Sequence, residues 1–159
     1  MYWNRLSDII LFSSFAALAV FALLGFYQLI SKKSLKKVDK PLLAFCIPLI
    51  LAVLTYFIFD KVFILNTRPD GSGEASFPST HVMFTATIFF CIIALLPCYL
   101  KSKSARLVLD ILMLALTILL SFARVLANKH WTSDVVAALI FALIFSVIYY
   151  LIIRRKKNV

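Results

Sequence analysis

The chain has 159 residues, of which 63% are hydrophobic and only 15% are charged. This composition is far more apolar than that of a soluble domain, and the length allows one domain of ordinary size. A net charge of +10 would suggest a nucleic-acid partner for a soluble protein. Here most cations lie in short clusters beside apolar runs, as in the cytoplasmic loops of membrane proteins. The sequence therefore predicts a protein of the bilayer, with no nucleic-acid partner.

Five apolar runs are long enough to span a bilayer, which takes about 20 residues in a helix. They lie near residues 9–30, 41–59, 82–100, 107–126 and 135–153. Because lipid cannot satisfy backbone polar groups, the predicted fold is an all-α integral membrane protein, a bundle of about five transmembrane helices. The opening segment has few charges and carries Tyr2 and Trp3, which suits a possible interfacial helix ahead of the first span.

The distribution of Lys and Arg predicts the orientation. Most of the 17 basic residues fall in the 31–40 loop, the 101–106 loop and the C-terminal tail, which five spans would place on one side. The cations left for the other side are Arg5, Lys61, Arg68, Arg124 and Lys129. The positive-inside rule then predicts a multi-pass plasma-membrane protein with its N-terminus outside and its C-terminus cytoplasmic.

The stretch from 61 to 81, KVFILNTRPDGSGEASFPSTH, differs from the apolar runs on either side. It combines Lys61, Arg68 and His81 with glycines and serines, and it ends where the third helix is predicted to begin. Fixed cations and a helix N-terminus together suit an anion such as phosphate. Ser79 would present its backbone N–H and its hydroxyl to that anion, although Ser79 and Thr80 are also ordinary residues for capping a helix.

A second polar group follows the fourth span. Asp134 comes four residues after His130, and if the last helix begins near residue 132 its carboxylate can reach back to the imidazole. Such a bond would fix the tautomer and leave the other ring nitrogen free to attack. The alternative is that Asp134 only favours the positive helix N-terminus. Arg124, in the last turn of the fourth span, is costly in lipid unless it faces a polar cavity or an anion.

These residues form three ordered blocks, which are K-x6-R-P from Lys61, P-S-x-H from Pro78 and R-x5-H-x3-D from Arg124. Together they resemble the type 2 phosphatidic acid phosphatase superfamily of membrane lipid phosphatases, which also includes vanadium-dependent haloperoxidases. The resemblance implies one domain over residues 1–159, with its motif core at 61–134. Two departures are that Ala123 stands where the family usually has Ser before the arginine, and that family members commonly have six spans.

The resemblance implies a metal-independent phosphatase without a cofactor. His130 would attack phosphorus and form a phosphohistidine while Asp134 orients its ring. His81 would protonate the leaving oxygen and then activate water. The residues that would hold the phosphate are Lys61, Arg68, Ser79, Thr80 and Arg124.

The expected substrate is a lipid phosphate whose tail stays among the helices while its head group meets the site at the outer face. Undecaprenyl diphosphate fits this arrangement best, and phosphatidic acid, phosphatidylglycerol phosphate and the lipid A 1-phosphate are alternatives within the family. An alternative of another class is a non-catalytic lipid-phosphate-binding or transport protein, which would be expected to have lost His81, His130 or Asp134. Vanadate should inhibit by occupying the phosphate site.

Overall fold

A computed structural model of the protein describes residues 2–154. The C-terminal cations Arg155, Lys156 and Lys157, which contribute to the predicted orientation, lie outside the described residues. The helices are α1 (Tyr2–Lys32), α2 (Lys40–Ala44), α3 (Cys46–Phe57), α4 (Thr80–Tyr99), α5 (Lys103–Leu126) and α6 (Thr132–Arg154). Helices α2 and α3 and a π-helical turn at Ile58–Val62 act as one span, so the described part of the chain has five helical segments able to cross a membrane. The predicted all-α bundle is confirmed.

Helix α4 is the centre of the bundle, because it contacts α1, α3, α5 and α6 and is the most buried of the spans. Its buried positions include small side chains such as Thr85, Ala86 and Cys91. The Cys91 Sγ lies 3.7 Å from the Oγ of Ser146 on α6. Small residues let helix backbones approach closely, which is the main source of helix association within lipid. The centre of the fold is therefore a tight contact between α4 and its neighbours.

Helix α1 runs without interruption from Tyr2 to Lys32, so the opening segment is not a separate interfacial helix. The physical reason is that no glycine or proline interrupts the helix before Gly25, and helix propensity continues through the first turns. The buried residues of α1 are Ser7, Ile10 and Ser14, which form one narrow stripe toward the bundle. The first two turns of α1 thus project toward the same end of the bundle as the start of α4.

The two ends of the bundle differ in chemistry. At one end, the Asp39 Oδ2 accepts hydrogen bonds from Gln28 Nε2 at 2.8 Å and from the Tyr99 hydroxyl at 2.9 Å. The Gln28 Oε1 accepts the backbone N–H of Asp39 at 2.9 Å. These bonds tie the end of α1 and the end of α4 to the loop before α2, beside the 31–40 lysines. The candidate site residues lie at the opposite end, and which end faces the cytoplasm stays a prediction.

We expect Asp39→Ala to lower the free energy of unfolding by about 1 kcal/mol, because it removes hydrogen bonds to a charged but partly exposed acceptor. Hydrogen bonds from Gln28 and Tyr99 hold the pKa of Asp39 below its ordinary 3.8. The contribution is therefore present above that pH and is lost as the pH falls through the folded pKa. Denaturant titration in detergent measures the effect, with Lys36→Ala in the same loop as the control. Equal stability of the two variants would contradict this role of Asp39.

Candidate active site

His130 is the centre of the polar cluster at the end of the bundle where α4 and α6 begin. It is 3% exposed, and its Nδ1–H donates to the backbone carbonyl of Ser76 at 2.7 Å. On the other side of the ring, Arg124 Nη2 donates to Nε2 at 3.2 Å. Burial, and then the charges of Arg124 and Arg68, lower the pKa of His130 to about 4. His130 is therefore a neutral imidazole at physiological pH, with its proton on Nδ1 and a lone pair on Nε2.

Asp134 does not make the hydrogen bond to His130 that the sequence spacing predicts. Its Oδ2 is 4.0 Å from the His130 Nδ1, which is instead bound to the carbonyl of Ser76. The Asp134 Oδ2 accepts the backbone N–H of Trp131 at 3.0 Å, and its Oδ1 accepts from Asn66 Nδ2 at 3.2 Å. The physical reason is that α6 starts at Thr132, so Asp134 occupies the position from which a side chain closes back on the first free N–H of the helix. Asp134 thus acts on His130 through charge at short range and through the position of the helix start.

Arg124 is a cation inside the bundle, at 3% exposure. Its Nη1 donates to the Asn4 Oδ1 at 3.0 Å and to the Ser7 Oγ at 3.2 Å, both on α1. Among residues 2–154 it forms no ion pair, and its Nε–H has no hydrogen-bond partner. A buried guanidinium with open N–H groups is a strong binding site for phosphate oxygens.

Arg68 lies in the loop formed by residues 63–79, which folds across the start of α6. Its guanidinium pairs with Glu74, and its backbone N–H donates to the Glu74 carbonyl at 2.9 Å, which closes a turn. Gly71 and Gly73 within that turn have φ of 76° and 74°, a conformation that favours glycine. The Arg68 Nε is buried and has no hydrogen-bond partner in the described part of the chain. The turn therefore fixes the position of Arg68, and the Nε–H of its guanidinium can still donate a hydrogen bond to a ligand.

Several contacts dock the 63–79 loop onto the segment before α6 and onto the first turn of α6. Besides the bond from His130 to Ser76, Trp131 Nε1 donates to the Thr67 carbonyl at 2.9 Å, and Lys129 pairs with Asp70 at 2.6 Å. Asn66 contributes its bond to Asp134. These contacts bring together the blocks that are more than 50 residues apart in the chain.

Ser79 and Thr80 begin α4, as predicted. The Ser79 N–H is not open to an anion, because it donates to the Asp134 carbonyl at 3.2 Å. Its hydroxyl is fully buried, makes no capping hydrogen bond, and has no partner among the described residues. Thr80 lines the adjacent cavity. Ser79 therefore brings a hydroxyl to the site, and its backbone N–H forms a hydrogen bond that joins the start of α4 to α6.

His81 and Lys61 lie at the edge of this cluster. The His81 Nε2 is 3.1 Å from the Asp8 Oδ1 of α1, a contact between positions 73 apart in the chain. Lys61 lies in the π-helical turn, and its ammonium pairs with Asp60 at 2.7 Å while the side chain is 64% exposed. Asp60 faces the cavity and Lys61 does not. The structure therefore brings Arg68, Ser79, Thr80, Arg124, His130 and Asp134 together, with His81 adjacent and Lys61 outside.

A cavity of about 140 Å³ is enclosed by Asp60, Arg68, Ser76, Thr80 and His130, among others. Two of the lining residues carry buried polar atoms without partners in the described part of the chain, namely Arg68 Nε and Ser76 Oγ. Two more such atoms belong to residues next to or bonded to the lining, namely Ser79 Oγ beside Thr80 and Arg124 Nε on the side chain that contacts His130. Buried polar groups in proteins are nearly always satisfied, so a cluster of open donors beside a cavity points to an anionic ligand. In the part of the chain that the structure describes, no group of three His, Cys, Asp or Glu side chains is placed to hold a metal ion.

Sequence reasoning did not identify Asn4, Ser7, Asp8, Asn66 or the carbonyl of Ser76 as parts of the site. Asn66 lies within the 61–81 stretch, and its amide next to an apolar run is a signal visible in the sequence. Polar residues at 4, 7 and 8 recur on one helix face, which is also a visible pattern. The Ser76 carbonyl has no sequence signal, because every residue carries one.

Comparison with known proteins identifies the family and a similar fold. Residues 56–158 match the sequence model of the PAP2 superfamily. The fold is similar to the crystal structure of a transmembrane PAP2-type phosphatidylglycerolphosphate phosphatase from Bacillus subtilis, with a TM-score of 0.69 and 20% sequence identity. That similarity covers 99% of this chain and 79% of the other. No curated protein matches the chain. The resemblance predicted from the three sequence blocks is confirmed.

The protonation state of His130 can be measured directly, because the chain has only two histidines. In a His81→Asn variant labelled with ¹⁵N-histidine, His130 is the sole imidazole signal. We expect a neutral ring with the proton on Nδ1 from pH 8 down to about pH 5, and protonation only near pH 4, because burial and two arginines disfavour the cation. A titration near the ordinary value of 6.5, or a proton on Nε2, would contradict the geometry described above.

Proposed function

Since the chain belongs to the PAP2 superfamily, we propose that it is a membrane lipid phosphatase that acts through a phosphohistidine on His130. The observation that carries the proposal is the cluster of open N–H and O–H groups around a neutral imidazole. Arg68 and Arg124 contribute cationic donors, and Ser76 and Ser79 contribute hydroxyls. Such preorganised donors stabilise the charge that develops on phosphate oxygens during transfer.

The Nε2 lone pair of His130 is the nucleophile in this proposal. It attacks phosphorus, the bond from phosphorus to the lipid oxygen breaks, and His81 gives that oxygen a proton. His81 then takes a proton from water as the water attacks the phosphohistidine, so the bond from phosphorus to nitrogen breaks and phosphate leaves. His130 ends in its starting form, and Arg124, which donates to Nε2 before substrate binds, can transfer its hydrogen bond to the phosphate.

The size of the cavity bears on the substrate class. At about 140 Å³ it is smaller than the roughly 300–1,000 Å³ of pockets that enclose a whole small-molecule ligand. It suits a phosphate group, with the rest of the substrate outside the cavity among the helices and in the bilayer. We propose undecaprenyl diphosphate as the substrate, with phosphatidic acid, phosphatidylglycerol phosphate and the lipid A 1-phosphate as alternatives. We also propose that the site faces the outside of the cell, on the distribution of Lys and Arg.

We expect His130→Ala to abolish phosphate release from a panel of these lipid phosphates in detergent, because it removes the proposed nucleophile. EDTA should leave the wild-type rate unchanged, since the chemistry proposed here uses no metal. Phosphate release is measured for each lipid. Ser13→Ala, on the exposed face of α1, is the control for activity lost through mutation and purification alone. Full activity of His130→Ala, or loss of activity on chelation, contradicts the mechanism. Binding of the lipids without any turnover would favour the lipid-binding protein instead.

The two cations of the first sequence block should differ in importance. Arg68→Ala removes a buried donor beside His130, so we expect a loss of about 100- to 1,000-fold in rate. Lys61→Ala removes an exposed ammonium outside the cavity, so we expect a loss of about tenfold or less. Rates for both variants are compared in one assay. A larger loss for Lys61→Ala would mean that its ammonium leaves Asp60 and enters the cavity when substrate binds.

A further inference from the structure

The first two turns of α1 bring three polar side chains to the candidate site. Asn4, Ser7 and Asp8 lie at i, i+3 and i+4, so they share one face of the helix. Asn4 and Ser7 contact Arg124, and Asp8 contacts His81. All three lie outside residues 56–158, the part that matches the superfamily model.

Asn4 and Ser7 fix the orientation of the Arg124 guanidinium. Both Nη1 hydrogens are used, one for the Asn4 Oδ1 at 3.0 Å and the other for the Ser7 Oγ at 3.2 Å. The Ser7 hydroxyl gives its own hydrogen to the backbone carbonyl of Asn4 at 2.7 Å, so toward Arg124 it can act only as an acceptor. Ser7 is fully buried, which holds this geometry. The guanidinium is thereby left with its Nε–H and its Nη2 for His130 and for a phosphate.

Asp8 acts on the second histidine. An ionised carboxylate can only accept hydrogen bonds, so its Oδ1 at 3.1 Å requires a proton on the His81 Nε2. When the imidazole carries two protons, this bond keeps one at Nε2, and the proton on Nδ1 is the one available for transfer. The carboxylate also balances the positive charge of that doubly protonated ring, close to Arg124.

We propose that the first two turns of α1 position the catalytic groups, with Asn4 and Ser7 directing the Arg124 guanidinium toward the phosphate and Asp8 holding His81 as the proton donor. This inference rests on the proposed phosphatase function of the same site. It makes α1 part of the catalytic domain, together with the region that contains the three sequence blocks. In the transfer step Asp8 stays a carboxylate throughout, because the proton moves from His81 to the lipid oxygen and is replaced from water.

The two contacts predict different kinetic effects. Asn4→Ala and Ser7→Ala loosen a group that binds phosphate, so we expect KM for a lipid phosphate to rise about tenfold and the affinity for orthovanadate to fall about as much. Asp8→Asn keeps an oxygen for the Nε2–H and removes the charge, so we expect kcat to fall about 10- to 100-fold with KM changed less than about threefold. Asp8→Glu restores the carboxylate and should recover most of kcat.

The experiment uses the full-length protein in detergent, with kcat and KM for a lipid phosphate and the rise in Tm caused by orthovanadate as readouts. Arg5→Gln removes an exposed charge in the same turn, and Ser13→Ala removes an exposed hydroxyl of α1, so these two variants are the matched controls. The Tm measured without vanadate identifies any variant that is misfolded. If Asp8→Asn is misfolded, Asp8→Glu is tested in its place, and if Ser7→Ala is misfolded, Ser7→Thr is tested in its place.

Two results would overturn the inference. If the wild type hydrolyses lipid phosphates and the Asn4, Ser7 and Asp8 variants match both controls, the proposed function stands and the role of α1 is wrong. If the wild type releases no phosphate, the proposed function fails, and the vanadate readout still decides the role of Asn4 and Ser7. An unchanged vanadate shift in those variants then overturns the inference, and a lost shift supports it.

Discussion

The buried charge of Arg124 is the constraint on which the candidate site depends. A guanidinium at 3% exposure loses most of its hydration, and no carboxylate within salt-bridge distance compensates for it among residues 2–154. Neutral acceptors on α1 and the Nε2 of His130 satisfy part of its hydrogen bonding. The remaining charge is best balanced by an anion, which explains why a cavity with open donors lies beside it.

The same charge sets the chemistry of His130. Two arginines and burial keep its imidazole neutral, and a neutral imidazole is the form that can attack phosphorus. The Ser76 carbonyl holds the Nδ1 proton, so Nε2 carries the lone pair at the side where Arg124 lies. One set of contacts thus places the proposed nucleophile, determines its tautomer and holds a cationic donor next to it.

Open donors have a cost in stability. A buried polar group without a partner destabilises a fold by about 1–3 kcal/mol, and four such atoms belong to residues of the candidate site. The ties between the 63–79 loop and the start of α6 offset part of this cost, through the pair of Lys129 with Asp70 and the bond from Trp131 to Thr67. An anion that satisfies the donors would add its binding free energy to the stability of the folded state. The polar groups of the site would therefore be better satisfied with an anion bound.

Sequence reasoning was sufficient for the spans and for most of the residues that meet at the cavity. Apolar length is a local property, and Arg68, Ser79 and His130 belong to short blocks whose spacing is visible in one dimension. The predicted hydrogen bond from His130 to Asp134 was wrong, because sequence spacing shows only that the two side chains can meet. The acceptor that binds the His130 Nδ1–H instead is a backbone carbonyl 54 residues away, which spacing cannot reveal. The contacts from α1 to Arg124 join positions up to 120 apart, and no local pattern encodes such a pairing.

The length of α1 explains how those distant contacts arise. With 31 residues at about 1.5 Å each the helix is about 46 Å long, whereas the hydrocarbon core of a bilayer is about 30 Å thick. Its far end is held by the bonds from Gln28 to Asp39, and its first two turns reach Arg124 and His81 through Asn4, Ser7 and Asp8. An N-terminal segment that looks like an interfacial anchor in the sequence is therefore long enough to contact the candidate site.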